Sequence, residues 1–317
     1  MGIDIRSMRS FVSVVSAGSI SAAAERLYIA QPALSLQIKN IEEELGVKLL
    51  ERTPKGVRLT DAGTRFLEHS SHLLRQFDMA CDDVRSGATS PQGTVVLSMS
   101  QSIAQQLVLP LVRETLARWP KVMLSITEQS TGYISSSVLS GHVDMGFVFQ
   151  AESNPALRFE HLIDEELVVV ARPDYIKPFR RGRTANLAEI KMTDLLQMPF
   201  ILPSKGHGLR NLLDQYLGVD RPLRVAAEVN TIPQLTELAA AGVGWTVLSL
   251  ASVSAALSTD TLSAARIKGL RMERPVLLVT SAGRPFSAAS TVVYQQIRPL
   301  IAELVSRGTW PAKIINN

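Results

Sequence analysis

The apolar pattern of this chain shifts near residue 90 from mainly helical to alternating strand and helix, and that change restricts the folds it can adopt. Before it, apolar side chains recur every three or four residues, the period of helices packed by one face. After it, short apolar runs alternate with helical stretches. A chain of 317 residues with such a switch reads as two domains, a small helical one and a larger α/β one.

In the helical part, Met8, Phe11, Val12 and Val15 share one face of a helix that stops near Ala17-Gly18. Ser19 can cap a short second helix striped by Ile20, Ala23, Ala24 and Leu27. Gln31-Pro32 opens a third, with proline suited to the first turn. Leu34, Ile38, Ile41 and Leu45 line it, and Gly46 ends it. Lys48–Arg52 and Val57–Leu59 predict two short strands turned through Thr53-Pro54-Lys55-Gly56. A longer helix runs from Asp61 to Arg85, with Thr60 as its cap. Phe66, Ser70, Leu73, Phe77, Ala80 and Val84 follow one another at spacings of four and three, the seam of paired helices; a helix facing its own core has the same seam.

Residues 86–93 are small and polar and read as a linker. Beyond them strands are predicted at Thr94–Met99, Val122–Thr127, Met145–Phe149, Leu167–Ala171, Phe200–Leu202, Arg224–Val229, Trp245–Leu250 and Val276–Thr280. The main helices lie at Ile103–Arg118, Ile134–Leu139, Leu209–Leu217, Pro233–Ala241 and Ser287–Ser306. The pattern is α/β with mostly parallel strands.

Composition excludes several classes. Lys and Arg number 33 against 29 Asp and Glu, a net charge of +4 that permits a polyanionic partner without requiring one. In residues 1–92 the charges balance, so a nucleic-acid site there must come from local placement. The single Cys81 rules out an internal disulfide and a four-cysteine zinc site. No apolar run approaches the roughly 20 residues needed to span a bilayer, and MGIDIRSMRS lacks the features of a signal peptide. A cytoplasmic protein with no membrane partner is expected.

Catalytic motifs are missing as well. Residues 94–317 hold no phosphate loop, no His-Glu-x-x-His and no Gly-x-Ser-x-Gly elbow. Gly242-Val243-Gly244 suits a tight turn better than a dinucleotide fingerprint. His69 and His72 lack a further ligand, and His142 and Asp144 suit a capped turn. The basic cluster Arg172, Lys177, Arg180, Arg181 and Arg183 is broken by prolines and reads as a solvated loop. No catalytic residue, metal site or cofactor is expected.

Binding chemistry is better represented. Ala23 and Ala24 let the second and third helices approach closely, and Leu27, Ile29, Leu34 and Ile38 supply their shared core. The third helix then turns Gln31, Ala33, Ser35, Gln37 and Lys39 outward. Amides and hydroxyls read base edges, whereas Lys and Arg hold phosphates. The hairpin, a wing, adds Lys48, Arg52, Lys55 and Arg58 against Glu51. Glu42-Glu43-Glu44 lies late in the helix, where it can face solvent or pair with neighbours. A generic helical bundle with a solvated polar face remains an alternative. In the α/β part, Ser98–Ser102, Glu128–Gly132 and Pro203–Gly208, with Arg210 close behind, each end a strand and open a helix. Free N–H groups at such ends favour anions, and open α/β sheets bind ligands beyond the C-terminal ends of their strands. Ordinary capping explains each loop singly.

The run SISAAAERLYIAQPALSLQIKNIEEELGVKLLERTPKGVRLTDAG resembles the winged helix-turn-helix of the LysR-type transcriptional regulators. The remaining chain has the length and element order of that family's effector domain. The resemblance implies an α+β winged helix-turn-helix DNA-binding domain (1–60), a long linker and dimerisation helix (61–87) and a hinge (88–93). An α/β periplasmic-binding-protein-like effector domain of two lobes follows, lobe I being 94–164 with 267–306 and lobe II 165–266.

Carried over by position, Gln31, Pro32, Ala33, Ser35 and Gln37 begin the recognition helix, with Lys39 nearby. Arg52 and Arg58 contact the backbone from the wing. Phe66, Leu73, Phe77, Ala80 and Val84 dimerise, and Ser100, Ser102, Thr131, Phe149, Ser204 and His207 line the effector cleft. Leu36 departs from the family, which often has a basic residue there. The implied function is a sequence-specific DNA-binding regulator controlled by a small anionic metabolite. Its partners would be double-stranded promoter DNA, that effector, further copies of the chain as dimer or tetramer, and RNA polymerase as a candidate. Two other classes stay open on the residues alone: a transferase-like catalytic domain, or a solute-binding domain, fused to a nucleic-acid module.

Overall fold

A computed structural model of the chain describes residues 3–54, 56–86, 90–180, 187–218 and 223–315. Lys55, Arg181, Arg183 and part of the expected hinge lie outside the described residues. The chain forms two compact units, Met1–Gly87 and Ala88–Asn317.

The first unit opens with α1 (Ile5–Ala17), α2 (Ile20–Leu27) and α3 (Gln31–Leu45). Asp4 and Ser7 form a reciprocal capping box at the start of α1, and Ser19 caps α2 through the Ala22 amide. The buried face of α1 is Ser7, Ser10, Phe11 and Val14, rotated from the stripe its apolar residues predict. Two serines can be buried there because both are bonded, Ser7 in the cap and Ser10 to Gln37 Oε1 at 2.6 Å. Phe11, Ala23, Ala24, Leu34, Ile38 and Ile41 form the core. Ile29, expected in that core, is partly exposed at the α2–α3 turn.

The wing is β1 (Leu50–Thr53) and β2 (Gly56–Leu59), followed by α4 (Asp61–Ser86). Gly56 has φ +128°, and a Cβ there would sit 2.2 Å from Gly18 O, so only glycine lets the hairpin dock on the α1–α2 turn. The dock is closed by the Val57 amide donating to Gly18 O at 2.9 Å. Thr60 caps α4 through the Gly63 amide, as its position predicts.

One acid ties the third helix to the wing. Glu42, on α3, is buried and accepts from the Leu49 and Leu50 amides at 2.9 and 3.1 Å and from Lys48 Nζ at 2.6 Å. Burial alone would raise its pKa; the Lys48 ammonium and the two amides outweigh that and hold it below the ordinary carboxylate value. Of the three consecutive acids, this one faces inward.

In the second unit, β3 (Gly93–Met99), α5 (Gln101–Arg118), β4 (Val122–Glu128), α6 (Thr131–Leu139) and β5 (Met145–Val148) form a parallel wound segment with β3 in the middle. Strand β6 (Leu157–Ala171) then leads into a second lobe. Its elements are α7 (Pro173–Ile176), β7 (Ala188–Ile190), α8 (Met192–Leu195), β8 (Pro199–Leu202), α9 (Gly208–Leu217), β9 (Arg224–Glu228), α10 (Ile232–Ala240), β10 (Thr246–Ser249), α11 (Leu250–Ser258) and β11 (Ser263–Ile267). The return is β12 (Met272–Ser281), then α12 (Ala288–Ser306) and β13 (Ala312–Ile314).

The expectation of mostly parallel strands needs correction. Every strand paired with β6 runs antiparallel to it, and β12 is antiparallel to β5 as well. The reason is topological: the chain leaves the first lobe along β6 and comes back beside it along β12. The lobes have separate cores: the first packs around Phe147, Leu97 and Trp310, with a further cluster around Ile134 and Val279, and the second around Phe200, Trp245 and Val169.

The Glu42 clamp makes a testable claim. Glu42→Ala should destabilise the winged unit by about 2–4 kcal/mol, since two buried amides and Lys48 lose their acceptor, while Glu42→Gln should cost less. A carboxyl whose folded pKa is depressed stabilises above its unfolded pKa, and that contribution is lost as pH falls through the folded value. The gap between wild type and Glu42→Gln in thermal melts should therefore close on acidification.

Candidate functional site

In the first unit the chemistry collects at the start of α3. The Ala30 backbone is extended and offers no side-chain cap, so the first turn of α3 keeps an open, electropositive end. Gln31, Pro32 and Ala33 are exposed there. Beside them Tyr28 adopts a left-handed conformation (φ 55°) and is 95% exposed. A groove of about 560 Å³ between α3 and the wing is lined by Pro32, Ser35, Leu36, Lys39, Lys48 and Arg52, among others.

Not every expected residue points the same way. Gln37 Oε1 is engaged by Ser10. Ser35 is half-buried, with its hydroxyl enclosed. Lys39 pairs with Glu43 at 3.2 Å. In the wing, Arg52 lies opposite Val57 and Arg58 opposite Glu51. Because side chains alternate along a strand, Arg52 and Arg58 leave opposite faces of the hairpin. Arg52 borders the groove beside α3, whereas Arg58 shares its face with Glu51.

The residues of the expected helix seam also divide. Phe66 turns into the core and meets Phe11 edge to face at 5.0 Å. Ser70 is fully buried, and Leu73, Phe77 and Val84 are exposed at 48%, 44% and 85%. Arg9 lies 5.9 Å from the Phe77 ring centre and bonds to Asp78.

In the second unit, five helices (α5, α6, α9, α10 and α11) begin around one cleft of about 890 Å³ between the lobes. Ser100, Ser102, Thr131, Phe149 and His207 all line it. Ser204 does not: its amide and hydroxyl both go to Asn230 Oδ1, and it is Asn230 that reaches the cleft. Arg210 likewise turns away, bonding to Asp214 and the Pro203 carbonyl. The N-caps of α5, α6 and α10 (Ser100, Ser130 and Thr231) place no side chain on their own helix amides. The ends of α5 and α6 are therefore open to a ligand, whereas at α10 the Ile232 amide donates to Gln101 Oε1 at 3.3 Å and Pro233 has no N–H.

The cleft floor holds a residue with no signal in the sequence. Arg274, near the start of β12, pairs across the strands with Glu165 of β6. Its Nε and Nη2 both approach Glu165 Oε2, at 2.8 and 2.7 Å, and Nη2 donates to Ser102 Oγ at 2.8 Å. The other carboxylate oxygen takes the Trp310 indole N–H at 2.8 Å. The guanidinium stacks on Phe149, 3.8 Å from the ring centre. Both members of the pair are buried, and removing one partner of such a pair costs about 3–5 kcal/mol. An arginine inside a strand resembles any exposed strand residue until the fold places a carboxylate beside it.

His207 caps α9: its Nδ1 accepts the Leu209 amide at 3.3 Å, which leaves the proton on Nε2. Burial, and then the positive charge of Arg274, hold its pKa below the ordinary histidine value. The side chain is a neutral donor in the cleft. Elsewhere, Asp144 caps the Val96 amide and Arg172 pairs with Asp174, both structural roles. Among the described residues no group of His, Cys, Asp and Glu could hold a metal, and no helix is long and apolar enough to cross a membrane.

Comparison with known proteins agrees with this division. The family described as bacterial regulatory helix-turn-helix protein, lysR family, matches residues 5–64, and the LysR substrate binding domain matches 88–301. A probable RuBisCO transcriptional regulator from Cyanidioschyzon merolae is 28% identical over 92% of this chain and 96% of its own length. The nitrogen assimilation regulatory protein nac of Escherichia coli is 29% identical over 78% of each. Among solved structures, full-length CbnR complexed with its target DNA superposes with a TM-score of 0.72 at 24% identity, covering 94% of this chain and all of that one. Full-length BenM gives 0.56 at 23%, covering 99% and 100%.

His207 generates the prediction for the cleft. A histidine that resists protonation when folded is protonated more readily in the unfolded chain, so stability is full above the unfolded pKa and is lost as pH falls below about 6.5. His207→Asn, which can still cap Leu209, should flatten the decline in melting temperature between about pH 7 and pH 5.

Proposed function

The chain belongs to the LysR family of DNA-binding transcriptional regulators, and from that premise we propose how its residues divide the work. The protein is a regulator with an effector-binding domain, not an enzyme. Our reading is that the exposed first turn of α3, Gln31 to Ala33, enters the major groove of promoter DNA. Its open helix end sits against a phosphate. Gln31 supplies an amide able to pair with a base edge. Arg52 holds the backbone beside α3, and Arg58, on the other face of the wing, reaches a different phosphate. Lys39 and Gln37 lie at the edge of this surface, each already tied to a neighbour.

We assign the exposed stripe Leu73, Phe77, Ala80 and Val84 of α4 to pairing with a second copy, since apolar residues at that spacing want a partner. Phe66 serves the fold of its own unit. The cytoplasm, where promoter DNA lies, is the expected location, and RNA polymerase is a candidate partner. The effector is a small anion held in the cleft by Ser100, Ser102, Thr131, Phe149 and His207. It acts by binding one arrangement of lobes or subunits more tightly than another.

The observation that carries this reading is the coincidence of the helix-turn-helix match with an uncapped, exposed start to α3. Footprints on the DNA upstream of the protein's own reading frame should show protection of two half-sites about 34–36 Å apart or a multiple of that. Gln31→Ala should cost about 1–3 kcal/mol of discrimination between cognate and mutated sites. Arg52→Ala should weaken all duplexes alike and lower the log–log salt slope by about one. Equal loss on cognate and random DNA for Gln31→Ala would overturn the assignment of base reading.

A further inference from the structure

The cleft floor carries more information than its lining hydroxyls. Arg274 has its Nε and both Nη2 hydrogens committed, to Glu165 and to Ser102. Among the described residues nothing accepts from Nη1, although Arg274 is 5% exposed and lines the cleft. An arginine so buried does not leave two donors idle without cost, and here they lie at the edge of a solvent-filled space. The guanidinium cannot swing away, because Glu165, Ser102 and the Phe149 ring hold it on three sides. Glu165 in turn is held by Trp310 through its other oxygen, so it does not need the whole guanidinium.

Across the cleft stands His207, close enough to Arg274 for their charges to interact, with its Nε2 hydrogen available. The uncapped ends of α5 and α6 point the same way electrostatically. Acids do border the cleft: Glu128 and Glu152 are exposed at its rim, and Glu165 beneath is matched by Arg274 and Trp310. At the floor, every group with a hydrogen left to give is a donor or amphoteric.

We propose that Arg274 Nη1 and His207 Nε2 form a carboxylate-reading subsite, so that the effector is a carboxylic acid whose carboxylate joins β12 of the crossover to α9 of the second lobe. A planar carboxylate suits a fixed two-hydrogen guanidinium edge, and His207, with Nδ1 accepting from Leu209, adds an Nε2–H donor beside it. This rests on the cleft being the effector site. It also identifies a selectivity residue: an amide or alcohol of the same shape forfeits the charge-assisted bonds and leaves Nη1 poorly matched.

The test uses the full chain and isothermal titration with acetate, succinate, glutarate and phenylacetate, each beside its carboxamide. At least one acid should bind, and about 10- to 100-fold more tightly than its amide. Arg274→Gln alone strands a buried carboxylate, so the informative variant is Arg274→Gln with Glu165→Gln, which keeps the site neutral; its fold is checked by melting. In it the acid–amide preference should vanish, and His207→Asn should reduce acid affinity by roughly tenfold. Equal binding of acid and amide overturns the inference, as does an unchanged preference in the double variant or binding of none of the four acids. Anisotropy of a labelled promoter duplex on the same samples reports the winged unit separately, so failure here and failure of the DNA reading are distinguishable.

Discussion

The second unit depends on one constraint: a single strand must serve both lobes. Strand β6 is 15 residues long, about 50 Å if fully extended, and its two halves belong to different cores. A strand shared in this way needs its crossing point pinned, or the lobes would slide in register. The buried Glu165–Arg274 pair does that, with Arg274 directly opposite Glu165 in the ladder and Trp310 closing the third side. Strand β13 adds hydrogen-bonded pairing at the same level, with Ala312 beside Glu165. Apolar residues of equal volume could hold the two strands as firmly. Polar ones also fix which residues oppose each other, because a slip of one position would bury two unpaired charges.

That pin lies at the floor of the cleft, and the placement follows from topology. The wound segments of the two lobes send the C-terminal ends of their strands, and so the starts of their helices, toward the crossing. Five helix ends gather there, and those of α5 and α6 carry no side-chain cap. Recognition and hinge thus share atoms: Ser102 both opens α5 and accepts from Arg274. A ligand bound at this point touches the groups that hold the lobes in register, which is the physical requirement for a small molecule to bias one arrangement over another.

In the winged unit the same economy appears on a smaller scale. The third helix is aimed by contacts on its far side: Glu42 grips the wing, Ser10 holds Gln37, and Ala23 and Ala24 let α2 come close. Its exposed first turn is free of such duties. Glycine at position 56 matters for the same reason, since the hairpin could not otherwise lie against the Gly18 carbonyl. Recognition surfaces work best when mobile side chains stand on a backbone that does not move.

What the amino-acid order determined alone was local and periodic. The three short helices, the capped start of α4, the wing, the switch to α/β near residue 90 and the strand-to-helix loops were legible because period, caps and turns act between near neighbours. Five of the six residues expected in the cleft do line it; Ser100, Ser102, Thr131 and His207 sit at helix starts that sequence can mark, and Phe149 follows strand β5. The tertiary structure alone decided the rest. The first half of β6, with Arg158, Glu160, His161 and Asp164, looks too polar for a central strand, and the antiparallel return of β12 has no local signature. Glu42 and its neighbours Glu43 and Glu44 are chemically alike; only the wing's amides single one out. Arg274 meets Glu165 across 109 positions of chain, and no pattern within a window of residues contains that meeting. Burial and pairing are properties of what arrives from elsewhere, and folding settles them.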